Sequence, residues 1–202
     1  MSLLKRVSIL VPLAGYFLCA VPACSSDDPS TPRVLLTSVL GAGNQADVND
    51  QTKCQLAPGN SWVTIGDPYN QTSVYDGDQN NGNTVGVTCK VYPETDGFHV
   101  EATAKNGNQG AVTIVGHFLP NTPSVSADSP ITNISASFAR ADTGNFNQSD
   151  CTVTYTDNNQ YMGVAAGRVW ANIDCEKATY STQGRTCDGS AMFKFENCQQ
   201  TP

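Results

Sequence analysis

The sequence predicts an all-β protein, an antiparallel β-sandwich or flattened barrel of about eight or nine strands, stapled by disulfides. Three observations carry that expectation. Apolar residues recur at every second position in one segment after another, and no segment keeps a helical apolar period over three turns. Stretches rich in Asn, Gly and Pro punctuate these segments. Cysteine is frequent, with eight in 202 residues.

The elements follow in order. Val34–Leu40 is the one ambiguous apolar run, and the β-favouring Thr37 and Val39 tilt it towards strand. Trp62–Gly66 reads as a strand with Val63 and Ile65 inward. In Thr84–Tyr92, Val85, Val87, Cys89 and Val91 share one face, with Thr84, Thr88 and Lys90 opposite. Pro93-Glu94-Thr95-Asp96-Gly97 turns the chain. Phe98–Lys105 then places Phe98, Val100, Ala102 and Ala104 against the core, and His99, Glu101, Thr103 and Lys105 outward. Asn106–Gly110 is a second turn, and Ala111–Leu119 returns with Val112, Ile114 and Phe118 inward. These three strands form an antiparallel meander. The Pro-rich loop from Pro120 to Pro130 is expected to be a crossover of Greek-key type. Thr132–Arg140, Cys151–Thr156, Arg168–Cys175 and Ser190–Glu196 complete the set. In these last strands Cys151 and Cys175 fall on core faces.

The N-terminus carries an address. Lys5 and Arg6 precede an apolar run from Val7 to Ala20 that holds Ser8 and is broken by Pro12. Small residues follow at Val21-Pro22-Ala23. A spanning helix needs about 20 apolar residues, and prolines fit poorly inside one, so the segment reads as a cleaved export signal. Val21, Ala23 and Cys24 resemble the lipobox of bacterial lipoproteins, from which Pro22 departs. That resemblance covers about the first 30 residues. It implies lipid on Cys24 and a membrane-anchored partner surface. Ser25, next to the modified cysteine, implies the outer membrane. Ordinary signal peptidase cleavage is the alternative. The stretch from Cys151 to Cys198, with Arg168-Val169-Trp170-Ala171 and Phe193-Lys194-Phe195-Glu196-Asn197-Cys198, resembles small cysteine-bearing lipoproteins of myxobacteria-like Gram-negative bacteria. No function comes with it. The chain is thus divided into a signal at 1–23, a lipidated Cys24 with a Ser/Asp/Pro tether at 24–33, and one β domain at 34–202.

Cysteine arithmetic agrees with this division. Cys19 leaves with the signal and Cys24 goes to lipid, so Cys54, Cys89, Cys151, Cys175, Cys187 and Cys198 remain. An even number in an exported domain argues for disulfides. Zinc sites want closer pairs than any of these offers. Sequence proximity suggests Cys54–Cys89, Cys151–Cys175 and Cys187–Cys198.

Charge narrows the partners. The chain has 11 Lys and Arg against 18 Asp and Glu. Loss of Lys5 and Arg6 takes the difference from −7 to −9. Nucleic acid is therefore excluded as an expected partner, since phosphate binding needs clustered positive charge. Charged residues make up 14% of the chain, below the usual quarter or so. Ser, Thr, Asn and Gly supply the polarity instead, a composition that suits exported β proteins better than cytosolic helical enzymes.

Few residues suggest chemistry. Asp76, Asp78 and Asn80 alternate as the first ligands of a calcium loop do, but the glycine arrives one residue late, at Gly82, and Val87 stands where the loop wants Glu. A polar hairpin is the competing reading, and no cofactor besides this calcium is expected. His99 and His117 fall on the outer faces of neighbouring strands, near Glu101, as an exposed polar pair or as a metal or acid/base pair. No nucleophile elbow is present. Trp62, Tyr69, Tyr75, Tyr92, Tyr161 and Trp170 include outward or loop positions that suit sugar stacking. The leading expectation is a non-enzymatic envelope lipoprotein with a structural or binding role. A carbohydrate- or peptidoglycan-binding module comes second, and a hydrolase third.

Overall fold

The structure, a computed structural model, describes residues 30–42, 54, 56–57, 59–121, 130–155 and 162–202. Twelve strands form among them: β1 (Arg33–Gly41), β2 (Ser61–Ile65), β3 (Val74–Tyr75), β4 (Gln79–Asn80), β5 (Asn83–Pro93), β6 (Phe98–Asn106), β7 (Gly110–Phe118), β8 (Ile131–Arg140), β9 (Gly144–Thr154), β10 (Gly163–Ala165), β11 (Arg168–Tyr180) and β12 (Arg185–Glu196). The count exceeds eight or nine because β3, β4 and β10 are only two or three residues long. Such fragments are too short to show a period.

All twelve join one antiparallel sheet in the order β2-β1-β12-β11-β9-β8-β7-β6-β5-β4, with β3 on β1 and β10 on β11. The sheet curls into a nearly closed barrel, in line with the flattened-barrel expectation. Alternation explains which face turns in. Val85, Val87, Cys89 and Val91 of β5 are buried, as are Val169, Ala171, Ile173 and Cys175 of β11. Phe118, Phe138, Phe146, Phe193 and Phe195 are fully buried. Phe118 of β7 meets Phe193 of β12 edge to face at 6.3 Å, so the aromatic rings join strands that are not neighbours in the sheet. Such a pair adds about 0.5–1.5 kcal/mol beyond its area burial. Gly189 leaves room for the Phe138 ring, which would stand 2.7 Å from any Cβ there.

The sheet closes where β5 faces the C-terminal tail. Val91 donates its N–H to the Gln199 carbonyl at 2.8 Å, and Gln199 donates to the Cys89 carbonyl at 3.0 Å. Gly167, in the β10–β11 turn, donates to the Val91 carbonyl at 2.9 Å. A disulfide from Cys89 to Cys198 locks this seam. Further along, Gly77 donates to the Val85 carbonyl and Val85 to the Asp78 carbonyl, so the turn after β3 ties β1 to β5. The barrel thus satisfies edge backbone groups that an open sheet would expose.

Two expected disulfides are corrected. Cys54 pairs with Cys187 and Cys89 with Cys198, in place of Cys54–Cys89 and Cys187–Cys198; Cys151–Cys175 is present. Proximity in sequence failed because the curled sheet brings together residues 133 and 109 positions apart. The Pro120–Pro130 loop is not a crossover either. It joins β7 to β8, which are direct antiparallel neighbours. Several strands also run further than expected. Gly144–Asp150 and Lys177–Tyr180 extend β9 and β11 through segments too polar to announce themselves.

Replacing Cys89 and Cys198 together by Ala is expected to cost about 2–4 kcal/mol of stability. Hydrogen exchange should then speed up first at the Val91 and Gln199 amides. Uniform loss of protection in every strand would contradict a localised seam.

Candidate functional site

Strand register defines two ends of the barrel. One end gathers Arg33, the Pro93–Phe98 turn, Phe118, Ile131, Arg168 and Glu196. Gly41, Ser61, Asn106–Gly110, Arg140–Gly144 and Tyr180–Arg185 lie at the other. The segment that precedes β1 enters at the Arg33 end. This end also holds most of the described charged clusters.

The first cluster surrounds Glu196. Its Oε2 lies 2.9 Å from Arg33 Nε and 3.2 Å from Lys194 Nζ, and it accepts the Ser73 hydroxyl at 3.2 Å. Lys194 also sits over the Trp170 ring at 5.2 Å, and Arg33 over Tyr75 at 5.7 Å. Partial burial pushes the Glu196 carboxyl up, but Lys194 and Arg33 outweigh it, so its pKa falls below the ordinary value.

The second cluster lies on the outer face of β5, β6 and β7. His99 and His117 are direct cross-strand partners, and Tyr92 is the partner of His99 on its other side. Tyr92 stacks on His99 with ring centres 5.0 Å apart. Glu94 and Asp96, in the turn, reach back to the histidines. His117 Nδ1 lies 2.6 Å from Glu94 Oε2, His117 Nε2 lies 3.0 Å from Asp96 Oδ1, and His99 Nδ1 lies 3.7 Å from Glu94 Oε1. The expected carboxylate, Glu101, is opposite Lys90 and Val115 instead. The sequence did offer a signal for the right partners. A turn that reverses the chain between Pro93 and Phe98 must hang its own side chains over the first strand positions, and His99 is one of them. Among the described residues no group of three or more His, Cys, Asp or Glu side chains is arranged, as it stands, to hold a metal ion.

The candidate calcium residues are separated. Asp76 Oδ1 accepts the Val87 N–H at 2.7 Å, towards β5. Asn80 is buried and turns to β2, where it accepts from Gly66 N–H at 3.1 Å and donates to the Thr64 carbonyl at 2.9 Å. Asp78 contributes backbone bonds in the turn. With two of the three oxygen donors committed to different strands, the segment is a structural hairpin and not a converging loop.

The aromatic row is dispersed as well. Trp62 is buried against Phe146, with Arg140 over its ring at 5.0 Å. Trp170 is buried under Lys194. Of the large apolar residues described, only Tyr69 and Tyr75 are exposed. Tyr161 lies outside the described residues. Period-2 reasoning put Trp170 on the outer face but could not foresee what covers it.

A shallow groove of about 500 Å³ runs over β7, β8, β9 and β11. It crosses a ladder of small polar side chains, in which Thr88, Thr103, Thr113, Ser137, Asn147 and Thr179 stand opposite one another on successive strands. Thr103 and Thr113 share a hydroxyl hydrogen bond at 2.9 Å.

No family model, curated protein or solved structure matches the chain. No helix among the described residues is long and apolar enough to cross a membrane.

The Glu196 cluster yields a pH signature. Because the folded carboxyl holds its proton less tightly than the unfolded one, its stabilisation is complete above the ordinary value of 4.5 and fades as pH falls through the lower folded value. Glu196→Gln should therefore lower stability by about 1 kcal/mol or less near neutrality. The gap to wild type should shrink below about pH 4.5, as read from urea unfolding at several pH values. A gap that widens on acidification would contradict the assignment.

Proposed function

We propose that the chain is an exported lipoprotein, held to the outer membrane by lipid on Cys24, with a non-enzymatic binding or structural role at the cell envelope. The observation that carries this reading is the closed account of cysteines. Cys54, Cys89, Cys151, Cys175, Cys187 and Cys198 are all consumed by one another. None of them is left to pair with Cys24, whose lipobox-like setting then gives it a separate use. Three disulfides favour an oxidising compartment. The tether from Cys24 to β1 spans at most about 30 Å, and so the Arg33 end of the barrel faces the membrane in this arrangement.

A glycan or peptidoglycan ligand is the second reading. Burial of Trp62 and Trp170 removes the stacking surface that first suggested it. The polar ladder beneath the groove supports it instead, since hydroxyl and carboxamide groups hydrogen-bond neutral sugars well. The groove lies on the barrel wall, clear of the anchored end.

Expression of wild type and Cys24→Ser with a fatty-acid probe tests the main reading. Wild type should label and sediment with membranes, and Cys24→Ser should do neither while keeping its disulfides. Equal labelling of the two, or a soluble unlabelled wild type, would overturn lipidation.

A further inference from the structure

We infer that His99, His117 and Glu94 form a binding site for a single zinc-class divalent ion. Four features of the cluster lead there.

The first is the contact between His117 Nδ1 and Glu94 Oε2, at 2.6 Å. Asp96 Oδ1 stands 3.0 Å from the other ring nitrogen, Nε2. Nε2 is buried and makes no aligned hydrogen bond, to Asp96 or to any other described group. The contact between Nδ1 and Glu94 is therefore the one defined hydrogen bond of the His117 ring.

Donor geometry is the second feature. Zinc binds His nitrogen and carboxylate oxygen at about 2.0–2.2 Å, so two donors on one ion stand roughly 3.0–3.5 Å apart. The two nitrogen–oxygen separations here, 2.6 Å and 3.7 Å, lie on either side of that range. Glu94 is the near carboxylate of both Nδ1 atoms. Opening the His117–Glu94 contact by under an ångström and drawing His99 in by a similar amount would bring both separations into that range.

Restraint of the rings is the third. Tyr92 stacks on His99. Gly97 lies under His117, where any Cβ would stand 2.8 Å from Nε2 and 2.5 Å from the Phe118 carbonyl oxygen. The turn itself is closed by Glu94 N–H donating to the Gly97 carbonyl at 2.9 Å. Both imidazoles sit on adjacent positions of a paired sheet, so little ordering entropy is left for the metal to offset.

Ligand chemistry is the fourth. Two imidazoles and one carboxylate suit zinc and its neighbours over calcium or magnesium. Three protein ligands leave a coordination position open to water or to a donor from a partner. The cluster is partly exposed, which gives the ion a way in.

The chain has only two histidines, and this makes the test clean. Zinc chloride is titrated into the purified chain by calorimetry. Wild type should bind one ion. His99→Ala and His117→Ala should each weaken binding at least about tenfold. Melting curves without metal establish that each variant is folded. Should a variant fail to fold, imidazole nitrogen NMR of wild type takes its place, with the Nδ1 signals of both histidines moving as zinc is added. The inference is overturned if wild type binds no zinc at millimolar concentration, if the double histidine variant binds as tightly as wild type, or if neither Nδ1 signal moves.

Discussion

Closure of the sheet between β5 and the C-terminal tail is the constraint on which the rest of this molecule depends. A curled sheet of nine long strands and three short ones still has two edges, and unpaired edges expose backbone donors and acceptors. Here Val91, Gln199, Cys89 and Gly167 satisfy one another across the gap. The Cys89–Cys198 bridge then makes that closure covalent. It constrains a loop of about a hundred residues in the unfolded chain, where chain-entropy arguments give a disulfide its largest effect. The buried aromatic interior follows from closure, because Phe118 and Phe193 meet across strands that the sheet order keeps apart.

Closure also positions the surface chemistry. β5 is fixed on one side by the tail and on the other by β6, so the Pro93–Phe98 turn has a defined place. From that turn Glu94 and Asp96 reach His99 and His117. The same end gathers Glu196 with Arg33 and Lys194. There Arg33 and Lys194 together neutralise the Glu196 carboxylate. Further along the same outer face, the ladder from Thr88 to Thr179 is nearly uncharged.

Much of the fold was legible because period-2 alternation is a local property. The β5–β6–β7 meander, the core-facing cysteines of β5, β9 and β11, and the strand character of Val34–Leu40 all follow from neighbours a few residues apart. What was not legible depends on how the sheet curls. Cys54 meets Cys187 and Cys89 meets Cys198 only because distant strands become neighbours. Trp170 was read as a free outer-face aromatic, yet Lys194 from β12 lies over it. The candidate site was half legible. Hairpin register places His99 opposite His117, but the partner carboxylates come from the turn, and Glu101 was the wrong choice because β-strand pairing sends it to Lys90. Asp76 and Asn80 looked like ligands by spacing, and tertiary hydrogen bonds direct them apart.

Disulfide mapping of the purified, unreduced protein tests barrel closure most directly. Proteolysis and mass spectrometry should recover peptides joined through Cys89–Cys198, Cys54–Cys187 and Cys151–Cys175. Recovery of a Cys54–Cys89 or Cys187–Cys198 peptide as the main species would contradict the closed seam, and with it the placement of everything built on β5.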